Sequence, residues 1–80
     1  MDVSCQFALY PLGVEHLGAT IRAALAVFPA RGLEVTPGPM STLVRGPAEE
    51  VFAGLADAFR VAADGGVVLV CTISNACPTH

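Results

Sequence analysis

From Val3 to Tyr10 the chain alternates, with Val3, Cys5, Phe7 and Leu9 on one side and Ser4, Gln6, Ala8 and Tyr10 on the other. A period of two sends successive side chains to opposite faces of an extended chain, so this stretch is predicted as a half-buried strand, ended by Pro11 and Gly13. Beyond it the period changes. Val14, Leu17, Ile21, Ala24, Leu25 and Phe28 recur at three- and four-residue spacing, which aligns them along one side of a helix running from Val14 to Ala30, stopped by Pro29 and Gly32. Leu33 to Thr36 reads as a short second strand, with Leu33 and Val35 facing one way. Pro37, Gly38 and Pro39 make a turn, and Met40 to Arg45 is a third strand. Gly46 and Pro47 announce a second helix, whose first turn carries Glu49 and Glu50 where the positive end of the helix dipole favours carboxylates. Val51, Phe52, Leu55, Phe59 and Ala62 give it an expected buried stripe. Asp64, Gly65 and Gly66 close it, and Val67 to Ala76, rich in β-branched residues, is the fourth strand.

The order βαββαβ with two right-handed crossovers predicts an α+β, ferredoxin-like split-βαβ sandwich: a four-stranded antiparallel sheet with two helices on one face. Residues 1–80 then form a single domain with the other sheet face bare. Because the apolar set of each strand must meet the helices, the bare face receives Ser4, Gln6, Ala8 and Tyr10, then Glu34 and Thr36. Val68, Val70, Thr72 and Ser74 join them if Leu69, Cys71 and Ile73 point to the helices. The third strand reads either way: Met40, Thr42 and Val44, or Ser41, Leu43 and Arg45, face outward. In both cases a hydroxyl joins the face.

Composition sharpens this picture. An 80-residue chain that is 54% hydrophobic and 14% charged carries more apolar surface than one small core hides, so a homo-oligomer through the open sheet face, or a tandem partner, is expected. A net charge of -3, with four Arg and no Lys, argues against nucleic acid and against a ligand held by negative charge. The unbroken apolar runs, Val67 to Cys71 among them, fall far short of the roughly 20 residues of a membrane span. No basic segment precedes a long apolar one at the N-terminus, so the expected location is cytoplasmic. Cys5, Cys71 and Cys77 have no C-x-x-C spacing and, with only His16 and His80, make no zinc pattern; Cys5 and Cys71 are expected as buried free thiols.

The bare face mixes valines with small hydroxyls, an amide and a phenol. A solvated face would carry more Lys and Glu, and a purely structural dimer face more Leu, Ile and Phe. The mixture suits a face that another subunit covers while leaving pockets lined by neutral donors and acceptors; strand Ser and Thr in an ordinary packing role are the competing reading. Arg45, next to Gly46–Pro47, is read as pairing with a carboxylate or carbonyl at the helix mouth, or as a ligand or subunit contact. Tyr10 is either edge packing or a face for a cationic ring. Phosphate binding would want a glycine-rich loop running into a helix, but Gly65–Gly66 leads into a strand. No Cys or Ser stands with an identifiable His partner, so the expectation is not an enzyme, with no cofactor and no metal.

"FALYPLG" at 7–13, "MSTLVRGPAEEVF" at 40–52 and "VLVCTISNACP" at 68–78 resemble the YkoF-like family of thiamine- or hydroxymethylpyrimidine-binding proteins, related more distantly to the MTH1187-like thiamine-binding proteins. The resemblance spans nearly the whole chain in order and spacing. It implies a ferredoxin-like fold and binding of the thiamine pyrimidine without catalysis, in salvage, transport or sensing. That family often carries two copies of the fold in one chain, so the single copy here implies a homodimer in place of the tandem. The matching positions are Tyr10, Ser41, Thr42, Arg45, Ser74 and Cys77. With Gln6 from the open face, the candidate ligand contacts are Gln6, Tyr10, Ser41, Thr42, Arg45 and Ser74. The alternatives are an ACT-like regulatory or scaffold domain that binds only protein through the sheet face, and a small acylphosphatase-type hydrolase. Asn75 and Arg45 would serve the hydrolase, but its phosphate-binding loop is absent.

Overall fold

The computed structural model describes residues 1–13 and 15–76 of the chain. Cys77 and His80, and Val14 at the expected start of the first helix, lie outside the described residues. The elements are β1 (Asp2–Pro11), α1 (Leu17–Leu25), α2 (Val27–Ala30), β2 (Glu34–Pro37), β3 (Thr42–Pro47), α3 (Ala48–Ala62) and β4 (Val67–Ser74). The four strands form one sheet in the order β2-β3-β1-β4 with every neighbouring pair antiparallel, so each crossover skips one strand and the fold is the ferredoxin-like α+β sandwich.

The first helix is interrupted where a continuous one was expected. α1 stops at Leu25 and α2 starts at Val27. Pro29 is the cause: it has no N–H to give the carbonyl four residues back, and its ring clashes with that carbonyl, which belongs to Leu25. The short second piece nevertheless places Phe28 fully buried, its ring centroid 5.1 Å from that of Phe7 on β1. These two rings anchor a core completed by Cys5, Ala24, Leu33, Val44, Val51, Leu55, Ala58 and Ala62. Leu17 does not join it, remaining 51% exposed.

α3 also differs from its expected stripe. Val51, Leu55 and Ala62 are buried, but the stripe continues through Ala48, Gly54 and Ala58, while Phe52 and Phe59 point outward and are exposed. The helix lies so close to the sheet and to α2 that small residues fill its inner side, leaving the two rings no room there. At the β3–α3 junction Gly46 has φ of +154°, and a Cβ there would collide with the Leu33 side chain. Ala48 N–H donates to the Met1 carbonyl at 2.8 Å, fixing the start of α3 against the start of β1. No helix among the described residues is long and apolar enough to cross a membrane.

Candidate functional site on the open sheet face

Residues directly opposite in an antiparallel pair share a face, so the register settles what each strand presents. Val44 opposes Cys5 and Thr42 opposes Phe7, so Thr42 and Val44 belong to the buried helix side. Leu43 opposes Gln6 and Arg45 opposes Ser4, which puts Leu43 and Arg45 on the open face. Adding β2 and β4 gives successive rows across the sheet. Glu34, Arg45, Ser4 and Ser74 form the first; Thr36, Leu43, Gln6 and Thr72 form the second. Ala8 with Val70, then Tyr10 with Val68, continue toward the other end. The face therefore grades from charged, through polar, to apolar.

Each region has its own hollow. At the charged end a cavity of about 540 Å³ is lined by Asp2, Ser4, Glu34, Arg45, Ser74 and Asn75, among others. The Arg45 Nε is buried there without a hydrogen-bond partner, and none of the ion pairs among the described residues includes Arg45. This corrects the expectation that it pairs at the helix mouth. Glu50 is instead bound by Arg31 at 3.0 Å, and Arg31 reaches Asp57 at 2.7 Å, so the carboxylates near α3 are occupied by a different guanidinium. Among the side chains that line this cavity, the carboxylates of Asp2 and Glu34 stand beside a single guanidinium, that of Arg45.

In the middle, Gln6 Nε2 donates to Ser41 Oγ at 2.8 Å. The bond holds both side chains in place and leaves the Gln6 carbonyl free to accept and the Ser41 hydroxyl free to donate. A hollow of about 280 Å³ lies over them, with Val70 and Thr72 on its far side. A third hollow, about 170 Å³, lies where β3 begins and is not confined to the open face: Tyr10 and Ser41 line it together with Thr42, Ile21 and Leu25 from the helix side.

Of the six expected contacts, the structure brings Gln6 and Ser41 together directly and sets Arg45 and Ser74 in one row beside Ser4. Tyr10 stands six residues along β1 from that row, about 20 Å at the usual strand rise, so one pyrimidine cannot touch both ends within a chain. Thr42 lies on the opposite side of the sheet. Asp2 and Glu34 were missed as site residues, though continuing the alternation of β1 back by one position places Asp2 on the open face. Cys71 also departs from expectation: it is on the helix side but exposed, because β4 is an edge strand that the helices leave partly uncovered.

Fold and face together define a ferredoxin-like domain with an open, polar, ligand-sized sheet surface. The chain belongs to the YKOF-related family, whose model matches residues 2–80. A structurally similar protein of Thermotoga maritima, TM0486, is assigned provisionally to thiamine biosynthesis or salvage; it is 25% identical, with a TM-score of 0.76, over 91% of this chain and 82% of its own. The hypothetical protein MJ1052 of Methanocaldococcus jannascii is 23% identical, with a TM-score of 0.83, over 99% of this chain and 84% of its own. A DUF77 domain of unknown function from Bacillus cereus is 19% identical, with a TM-score of 0.80, over 92% of this chain and 75% of its own. The latter two support the fold alone. No curated protein matches the chain.

Proposed function

We propose that the protein binds thiamine or its hydroxymethylpyrimidine moiety on the open sheet face, without catalysis, in thiamine salvage, transport or sensing. Membership of the YKOF-related family and the likeness to TM0486 support a thiamine-related role. The observation that carries the reading is the Gln6–Ser41 pair, held by its 2.8 Å bond. It displays a carbonyl acceptor beside a hydroxyl donor, and an aminopyrimidine edge offers the complement, an amino group that donates beside a ring nitrogen that accepts.

The charged row lies two residues along the strands from Gln6, roughly 7 Å, within reach of the second ring of thiamine. Its cation is favoured by Asp2 and Glu34, while the unpartnered Arg45 Nε and the Ser74 hydroxyl take acceptor atoms of the ligand. A diphosphate finds no backbone cradle and meets the same two carboxylates, so the phosphorylated form binds worse. Tyr10, too far away to share that ligand within one chain, covers the face in a homodimer with Val68 and Val70.

A second reading, an ACT-like module that binds only protein, is favoured by the exposure of Tyr10, Val68 and Val70 at 53%, 46% and 57%. Thermal unfolding with thiamine, hydroxymethylpyrimidine and thiamine diphosphate separates the two. Ligand at about 100 times its dissociation constant stabilises the folded state by roughly 2.7 kcal/mol, several degrees for a domain of this size. The binding reading expects that shift with the first two ligands and a smaller one with the third. No shift with any of them leaves the protein-binding module.

A further inference from the structure

The helix side of the sheet holds a thiol pair that the ligand face does not use. Cys5 opposes Ile73 and Cys71 opposes Phe7, so the two cysteines are diagonal neighbours across β1 and β4, on the same side of the sheet. Their surroundings differ sharply. Cys5 has no exposed surface, whereas Cys71 is open to solvent on the edge strand. Burial, with smaller contributions from the charge and hydrogen bonding of the adjacent Cys71 thiol, raises Cys5 to about 11. Cys5 therefore stays protonated near neutral pH and out of reach of an oxidant in solution, so thiol chemistry begins at the exposed Cys71.

We propose that Cys71 and Cys5 form an oxidation site, in which a hydroperoxide oxidises the exposed Cys71 and the buried Cys5 resolves the product as a disulfide across β1 and β4. With hydrogen peroxide, the Cys71 thiolate attacks one oxygen. The O–O bond breaks, sulfur gains that oxygen as a sulfenic acid, and hydroxide leaves to be protonated as water. The Cys5 sulfur then attacks the sulfenic sulfur: the S–S bond forms, the S–O bond breaks, and the departing hydroxide leaves as a second water with the Cys5 proton. Two thiols are oxidised and one peroxide is reduced. Diagonal neighbours stand farther apart than a disulfide spans, and the paired strands are already in contact, so closure slips β4 along β1 by on the order of 2 Å. β4 is bonded to β1 alone, and its free edge permits that movement. Proximity offsets the low nucleophilicity of Cys5, because its attack is intramolecular.

The test uses the full chain with Cys77→Ser, which leaves only this pair of thiols, treated with equimolar hydrogen peroxide and then alkylated under denaturing conditions. The expected product is a monomer lighter by two hydrogens than the reduced protein, with neither thiol alkylated, a linked Cys5–Cys71 peptide, and both thiols recovered by dithiothreitol. Conversion of Cys71 to sulfinic acid with Cys5 still alkylatable overturns the proposal, as does a disulfide between two copies of Cys71. Adding Cys71→Ser, a surface change that spares the core, should slow peroxide oxidation of native Cys5 at least tenfold. An unchanged rate at Cys5 would show that it reacts on its own account and would equally overturn the sequence of steps.

Discussion

Gln6 and Thr42 are both polar strand residues, and only their parity in the sheet separates their roles. Gln6 is locked to Ser41 on the open face, while Thr42 is buried on the helix side opposite Phe7. Gln6→Ala removes one ligand bond and frees Ser41, which should weaken thiamine binding by about 1 kcal/mol or more, fivefold or above. Thr42→Val should leave affinity within about twofold, since the side chain stays on the far side of the sheet. Titration calorimetry on the two variants checks this, and equal losses would move the ligand to the hollow shared by Tyr10, Ser41 and Thr42. The sequence alone does not decide between these two faces. "MSTLVR" puts a hydroxyl and apolar partners on either side of its pleat, and the register comes only from pairing with β1. In β1, by contrast, Cys5, Phe7 and Leu9 against Ser4, Gln6 and Ala8 leave one solution, and the structure adopts it.

At the scale of elements, strand and helix order was readable because periods of two and 3.6 differ cleanly, whereas the inner face of α3 was readable only in part, at Val51, Leu55 and Ala62. Large rings at Phe52 and Phe59 invited burial, but the inner face of α3 sets small residues, Gly54 and Ala58, beside Val51 and Leu55 and leaves the rings outside. Gly54 makes the point quantitatively. A Cβ there would lie 2.8 Å from Phe28 Cδ1 and 2.9 Å from Cε1, and Phe28 is fully buried against Phe7. Alanine gains about 1 kcal/mol of helix propensity over glycine, but overpacking of this kind typically costs 1–3 kcal/mol. Gly54→Ala is therefore expected to destabilise by about 1 kcal/mol net, read by urea unfolding. A gain in stability would mean that α3 moves freely off the Phe28 ring. The outer side of α3 is fastened by charge: Arg31 bridges Glu50 and Asp57, and Arg60 also holds Asp57 at 2.7 Å. Hydrogen bonding from Arg31 holds the Asp57 carboxyl below the usual carboxylate range, against a partial desolvation effect. A depressed folded pKa gives stability present above the unfolded value and lost as pH falls through the folded one, which places the loss below about pH 4. Arg31→Ala should lower the melting temperature at pH 7, and the gap to the parent should narrow below about pH 4 as Asp57 protonates in both proteins. A gap that is constant with pH would assign the effect of Arg31 to packing.

For the whole molecule the question is what covers the open face. Tyr10, Leu43, Val68 and Val70 lie on the side of the sheet away from α1 and α3, and the charged row ends the same surface. Burying apolar area returns roughly 25 cal/mol per Å², so leaving these side chains in water forgoes stabilisation that a small core can ill spare. A second copy laid face to face would recover it, and on this graded surface the contact is expected at the apolar end, with the charged end left open. Val68 is the residue to test, being 46% exposed, opposite Tyr10 and outside the hollow over Gln6 and Ser41. Val68→Lys places a charge in such a contact and takes nothing from the monomer core. The expected result in sedimentation velocity is a dimer for the parent and a monomer for the variant, with the parent's melting temperature rising with concentration and the variant's staying constant. If thiamine still binds the monomeric variant, each chain holds a complete site. If binding is lost together with the dimer, the partner's face completes it, and the 20 Å separation between Tyr10 and Arg45 within one chain ceases to be an obstacle.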